Sequence, residues 1–153
     1  MAPYYDVIKS PVGKIHVVFG SEGIERITLE EERFRKEYSS CIKKENREAR
    51  KQLEEYFDGK RKEFSLPLQF EGTTFQKKVW NVLREIPCGE TRSYEWVAKK
   101  AGRPRAVRAV GNAVGANPIP VVIPCHRVIR KNGELGGYGY GTDVKKKLLE
   151  IEH

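Results

Sequence analysis

A thiol and an imidazole stand side by side at Cys125-His126, directly after the run Val121-Val122-Ile123-Pro124 and before Arg127-Val128. Free cysteine ionises near pH ~8.5 and reacts as its thiolate, so nucleophilic chemistry at neutral pH calls for a neighbouring base or cation such as His126 or Arg127. Burial alone pushes a thiol the other way. The β-branched residues 121–123 suit a strand covered on both faces, and Pro124, which cannot donate to a ladder, ends it, so Cys125 is expected at a covered turn. Spacing alone leaves a second reading open. Buried free cysteines are commonly plain core residues, and a cysteine–histidine pair without a third group is a weak signature.

The elements that must position this pair are readable on both sides of it. Thr73 or Thr74 can cap a helix whose apolar residues Phe75, Val79, Val82, Leu83 and Ile86 recur at helical spacing, with Pro87 and Gly89 ending it. A short helix is expected from Ser93, with Trp96, Val97 and Ala101 facing inward and Gly102 as its stop. Pro104 then stands near the first turn of a helix over Arg105–Ala116. Two helices joined by a tight glycine-containing turn read as a helix-turn-helix or as a plain helical hairpin. The second helix is thin, built on Ala106, Ala109, Gly111, Ala113, Gly115 and Ala116 and fringed by Arg103, Arg105 and Arg108. That composition permits close approach of its backbone to a duplex. Gly136, Gly137, Gly139 and Gly141 suggest a pliant loop further on.

The first half reads differently. Tyr4–Ile8, Ile15–Phe19 and Ile24–Leu29 are expected as strands of a small antiparallel sheet, with Pro11-Val12-Gly13 and Ser21-Glu22-Gly23 as turns; the alternation Ile15, Val17, Phe19 implies one buried face. From Glu30 to Arg50 the chain is dense in both charge signs, then turns amphipathic through Leu53, Tyr56 and Phe57 and stops at Asp58-Gly59, giving a helix to cover the sheet. Phe64–Leu68 reads as an extended connector. The expected fold is α+β: residues 1–70 form an N-terminal sheet-and-helix domain in a supporting role, and residues 71–153 a mainly helical domain with a winged helix-turn-helix.

Composition narrows the function. Residues 1–70 carry 14 Lys or Arg against 13 Asp or Glu, whereas residues 71–153 carry 15 against 8, so nearly all of the +8 net charge belongs to the second half. Clustered positive charge is the electrostatic footprint of a nucleic-acid binder, although an ordinary basic surface gives the same tally. Cys41, Cys88 and Cys125 form neither an even disulfide framework nor a paired-ligand spacing, and with only His16, His126 and His153 to help, no metal site is expected. No apolar run approaches the roughly 20 residues of a membrane span. The first twenty residues alternate rather than forming a secretory signal, so a cytoplasmic or nucleoid-associated protein is expected.

Around the thiol, the words Asn117-Pro118-Ile119-Pro120, Pro124-Cys125-His126-Arg127 and Gly136-Gly137-Tyr138-Gly139, with Ser93-Tyr94 and Arg105–Gly111 upstream, resemble the O6-alkylguanine-DNA alkyltransferases. The likeness is close from about Phe75 to Glu152 and looser before that. It implies DNA repair by irreversible transfer of the alkyl group from O6-alkylguanine, and from O4-alkylthymine, to Cys125. The partner is double-stranded DNA entered from the minor groove, the protein a monomer, no cofactor is needed, and each molecule acts once.

Residue roles follow from the same resemblance. Arg108 corresponds to the arginine that fills the place of an extruded base, and Tyr94 to the tyrosine that drives its rotation and hydrogen-bonds the leaving base; extrusion itself costs a few kcal/mol. Arg105, Ala109 and Gly111 belong to the DNA-contacting helix. His126 is implied to draw the thiol proton through water, with Glu152 fixing its tautomer. From sequence alone Glu152 looks like a frayed terminal charge. Asn117 is implied to hold the loop beside Tyr94, the Cys125 and Val128 carbonyls to accept the guanine amino group, and Tyr138 and the Gly139 amide to line the alkyl pocket. Tyr140 stands where the family usually has glycine, which puts tolerance for large alkyl groups in doubt. Two other classes stay in view: a non-catalytic alkylguanine-lesion binding protein, which requires an inert Cys125, and a papain-like hydrolase, for which the basic helix has no use.

Overall fold

A computed structural model of the chain describes residues 2–153, which divide into two compact units, 2–70 and 71–153. In the first, β1 (Tyr4–Ser10), β2 (Gly13–Gly20) and β3 (Gly23–Thr28) form an antiparallel meander. Helix α1 (Glu31–Tyr38) follows, then a two-residue strand β4 (Ile42–Lys43) parallel to β1, giving the order β3-β2-β1-β4, and then α2 (Arg47–Phe57). Gly23, at φ +131°, lets the connector come close: a Cβ there would sit 2.5 Å from the Pro67 carbonyl oxygen, and Ile24 bridges to Leu68. The connector is therefore an edge of the sheet.

Two expectations for this unit need correction. The stretch 30–50 is not merely a charged lead-in to one helix, because it holds α1, β4 and the start of α2. Nor does the sheet bury a single face: Ile15, His16, Val17, Val18 and Phe19 are all buried. On one side the His16 ring stacks on Phe34 of α1 with centroids 4.5 Å apart. On the other, Asp6 takes Arg50 of α2 at 2.8 Å and the Asn46 amide at 3.0 Å. Helices on both faces make the alternation of a half-exposed strand unnecessary, which is why it misled.

The second unit begins with α3 (Thr74–Leu83), started by a reciprocal cap in which the Thr73 hydroxyl accepts from the Gln76 amide and the Gln76 side chain accepts from the Thr73 amide, both at 3.0 Å. Then come β5 (Arg92–Ser93), α4 (Tyr94–Lys100), α5 (Val107–Gly115), β6 (Val128–Ile129), parallel to β5, and α6 (Thr142–Glu152). Ser93 caps α4 through the Trp96 amide at 3.0 Å. Trp80 of α3, almost fully buried, donates from its indole nitrogen to the Ala113 carbonyl of α5 at 2.8 Å and so ties the helix pair to the unit's core.

Three local expectations fail here for identifiable reasons. Helix α5 is shorter than Arg105–Ala116, since Ala106 at its start offers no capping side chain and residues after Pro104 form a turn. Trp96 does not face inward: Val97, Ala98 and Ala101 take the core, and the half-buried indole lies under the cations of Arg92 and Lys100, 5.4 and 5.7 Å from its ring centre. Residues 121–123 form no strand. Pro118, Pro120 and Pro124 deny the ladder its donors, Ile123 N–H closes a turn on the Ile119 carbonyl at 2.8 Å, and Val121 sits at φ +74°, a strained value for a β-branched side chain.

Candidate active site

Cys125 opens a single 3₁₀ turn, Cys125–Arg127, all three residues of which are buried. The loop ahead of it is held by one side chain. Asn117 Nδ2 donates to the Ile123 carbonyl at 2.7 Å while its Oδ1 accepts from the Ile119 amide at 2.9 Å, so both ends of its amide are used to shape the approach to the thiol. Burial pushes the Cys125 thiol up from its ordinary value, with the Asn117 and Tyr138 side chains and the Lys145 charge acting the other way. At neutral pH the resting sulfur is protonated, and a base is required.

The candidate for that base, His126, is held in a fixed orientation. His126 and Glu152 are 0% exposed in their side chains, and His126 Nε2 lies 2.6 Å from Glu152 Oε2. Burial lowers the imidazole below its ordinary value, against the pull of Glu152. The Glu152 carboxyl is raised by burial, but hydrogen bonds from His126 and Arg127 outweigh this and hold it at about 2. An ionised carboxylate facing a neutral imidazole fixes the tautomer: Nε2 carries the proton and donates, leaving the Nδ1 lone pair as the base. Nδ1 is buried and has no hydrogen-bond partner among the described residues.

Arg127 supplies the counter-charge. Its Nε donates to Glu152 Oε1 at 2.8 Å, one terminal nitrogen to Oε2 at 2.9 Å, and the other to the Ile86 carbonyl at 2.7 Å. This two-pronged grip neutralises the carboxylate and anchors the end of α6 against the turn after α3. Lys145 was not anticipated at all. It is 0% exposed, and burial, the leading cause, lowers its ammonium to about 8. Helical spacing held the signal: Lys145, Leu148 and Glu152 fall on one face of α6, whereas Lys146 and Lys147 point to solvent.

The residues singled out from sequence fall into three groups. Cys125, His126, Glu152 and Asn117 are drawn together behind the turn, with Tyr138 within reach of the thiol. Tyr94, Arg108 and Gly111 line a groove of about 570 Å³ whose far wall is Arg130–Asn132 and Gly137. The Tyr94 hydroxyl is raised first by burial and then by its nearness to the Cys125 sulfur. Arg105, Ala109 and Gly139 are exposed and lie outside the groove lining. The Val128 carbonyl already accepts from Lys145 at 2.7 Å, and the Cys125 carbonyl from the Val128 amide; each oxygen keeps a second lone pair for a guest. Tyr138 and Tyr140 meet edge to face, 5.8 Å apart. Among the described residues no group of three or more His, Cys, Asp or Glu is placed to hold a metal ion, and no helix is long and apolar enough to cross a membrane.

A buried thiol, an oriented imidazole–carboxylate pair in the same turn and a groove lined from a helix pair define the class of proteins with cysteine-centred chemistry beside a surface groove. Comparison with known proteins gives the family. The model of the 6-O-methylguanine DNA methyltransferase DNA binding domain matches residues 74–153, and that of the same family's ribonuclease-like domain matches residues 3–70. A methylated-DNA--protein-cysteine methyltransferase of Methanosarcina barkeri is 48% identical over 152 residues, covering 97% of this chain and 96% of the relative. The constitutive enzyme of that name from Bacillus subtilis is 44% identical over 156 residues, covering 97% and 94%. Among solved structures, Mycobacterium tuberculosis OGT in complex with DNA superposes with a TM-score of 0.90 at 40% identity, covering 97% of this chain and 92% of that one. The chain belongs to the 6-O-methylguanine DNA methyltransferase family.

Proposed function

We propose that this protein repairs double-stranded DNA by moving the alkyl group of O6-alkylguanine, and of O4-alkylthymine, onto Cys125, one lesion per polypeptide. The observation that carries the reading is the buried His126–Glu152 pair at 2.6 Å, in the same turn as Cys125, because it supplies a base of the kind a protonated sulfur needs. In the transfer step His126 Nδ1 takes the Cys125 proton through a water. The sulfur then attacks the alkyl carbon in line, the carbon–O6 bond breaks, and its electron pair stays with the guanine. Tyr94 hydrogen-bonds the departing base as charge develops there, and the proton held on His126 passes through water to the guanine anion, which leaves neutral. A thioether is left on the protein, and since it is no leaving group in water, nothing regenerates the thiol.

The groove explains how a buried sulfur meets a stacked base. Arg108 fills the gap left by the extruded nucleotide, Tyr94 crowds the flanking phosphate, and the thin helix carrying Arg105, Ala109 and Gly111 enters the minor groove, where little sequence is read. The Cys125 and Val128 carbonyls receive the guanine amino group, while Tyr138 and Gly139 border the alkyl substituent. The first unit, with its near-balanced charge, supports the second. The protein acts as a monomer wherever DNA lies, in the cytoplasm or at the nucleoid. A lesion binder without transfer chemistry would not need an oriented base behind the sulfur.

Titrating the protein with a duplex carrying O6-methylguanine is expected to add one methylene unit of mass, on the Cys125 peptide, and to saturate at one repaired lesion per chain. Repair in many-fold excess over protein, or an unmodified Cys125 peptide after complete repair, overturns the proposal. Arg108→Ala is expected to slow transfer from duplex by about 10²-fold, in keeping with loss of a few kcal/mol of help to extrusion, while transfer from the free O6-methylguanine base is nearly unchanged. Equal losses on both substrates would rule out the extrusion role.

A further inference from the structure

The ammonium of Lys145 takes no part in the chemistry above, yet its surroundings are highly ordered. Its Nζ donates to three backbone carbonyls, those of Val128 at 2.7 Å, Leu135, and Gly137 at 3.2 Å. An ammonium has three N–H groups and no acceptor, so each proton has its own carbonyl. One of those carbonyls is in β6, immediately after the turn that carries Cys125. The other two flank Gly136, in the loop running from β6 to α6.

Gly136 is where that loop meets the groove. It has φ +75°, and the position a Cβ would take there lies 3.4 Å from the Tyr94 hydroxyl oxygen. Gly137 lines the groove that Tyr94 and Arg108 also line. Fixing the carbonyls on either side of Gly136 therefore fixes how closely the loop stands to Tyr94. An apolar side chain of the same length would fill the space without the desolvation cost of a buried cation. It could not draw three carbonyls from two segments to one point.

We propose that Lys145 is a positioning residue: its ammonium ties the Leu135–Gly137 loop to the Val128 carbonyl and so sets the loop against Tyr94, an assignment that rests on the alkyl-transfer reading of the same site. Tyr94 and Cys125 then face one base from fixed distances. The tie is made wholly by groups of the protein, so the loop amides are expected to be protected from exchange without DNA.

The test compares wild type with Lys145→Met, which keeps length and loses every donor, and Lys145→Gln, which keeps two. Single-turnover transfer from duplex O6-methylguanine is measured at saturating protein, alongside lesion affinity, melting temperature and hydrogen-exchange protection at Gly136, Gly137 and Tyr138. The limiting rate is expected to fall by about 10²-fold in Lys145→Met, the size of effect a misplacement of ~1 Å produces, with Lys145→Gln between it and wild type. Lesion affinity should be little changed, loop protection should fall in the same order as the rate, and the losses should not track melting temperature. A wild-type limiting rate in Lys145→Met, or a rate loss that merely follows melting temperature, overturns the assignment. Solvent-like exchange of the loop amides in folded wild type overturns it whether or not the variants fold. Absence of methyl on wild-type Cys125 would instead sink the transfer reading, leaving the loop measurement to stand by itself.

Discussion

Cys125→Ser is expected to abolish methyl transfer while the variant still binds lesion-bearing duplex. Serine is close in size to cysteine and can use the same Asn117 and Tyr138 neighbours, so the buried turn Cys125–Arg127 should keep its shape. Its hydroxyl, however, is far harder to ionise than a thiol and far less nucleophilic toward saturated carbon, even with His126 in place. Two assays read the result: intact mass after incubation with O6-methylguanine duplex, and a mobility shift at low salt. Any methyl gained by the serine variant at a wild-type rate would mean that another residue accepts the group. Loss of lesion binding together with transfer would mean that the substitution had disturbed the groove, and Cys125 could then not be assigned as the acceptor from this variant.

Glu152→Gln should have the next largest effect, on rate and on stability together. The amide of glutamine can donate to His126 Nε2, which moves the imidazole proton to Nδ1 and removes the base; a loss of about 10²–10⁴ in transfer rate is the range that general-base catalysis spans. The same change leaves the Arg127 guanidinium, 7% exposed, without its carboxylate. Breaking a buried pair from one side costs about 3–5 kcal/mol, with glutamine toward the lower end because it keeps one acceptor oxygen.

The acid limb gives an independent check. Glu152 is at about 2 in the folded chain against an ordinary 4.5, so the stability it contributes is complete above pH 4.5 and is lost as pH falls through about 2. The wild-type advantage over Glu152→Gln in chemical denaturation should therefore be constant near neutrality and shrink on acidification. In the wild type itself the lowered His126 also loses stability on acidification, since an unfolded imidazole takes up its proton first as pH drops below its ordinary 6.5; the gap between the two proteins is therefore read below the His126 range, where, of this pair, Glu152 alone titrates. A stability gap that widens toward low pH would contradict the ionised state of Glu152.

Much of this site was legible before the fold was known, and the parts that were not share a cause. Cys125-His126 and the helix starts at Thr73 and Ser93 announce themselves because their signals are local: a nucleophile beside a base, a hydroxyl ahead of an apolar period. Val121-Val122-Ile123 has the side chains of a strand but not its backbone, because three prolines around it remove donors. Glu152 looked like a frayed end, because nothing nearby in sequence reveals that His126 and Arg127, some 25 residues away, close on it. Lys145 was hidden in the run Lys145-Lys146-Lys147, where composition suggests three solvated charges and only the angular position on α6 separates the inner one. Long-range charge pairing and the facing of one lysine among three are tertiary facts, and the helical period at Lys145, Leu148 and Glu152 was the one local trace of them.

The hydrogen bond from Trp80 to the Ala113 carbonyl has an optical consequence. The chain has two tryptophans, one sealed in the core and wired to the thin helix, the other lying half-open beneath two cations. A shift of that helix by a fraction of an ångström would alter the field at the sealed indole and hence the colour of its emission, while the outer indole answers to ions and phosphates at the surface. The protein thus carries its own unlabelled fluorescent gauge of whether α5 has moved.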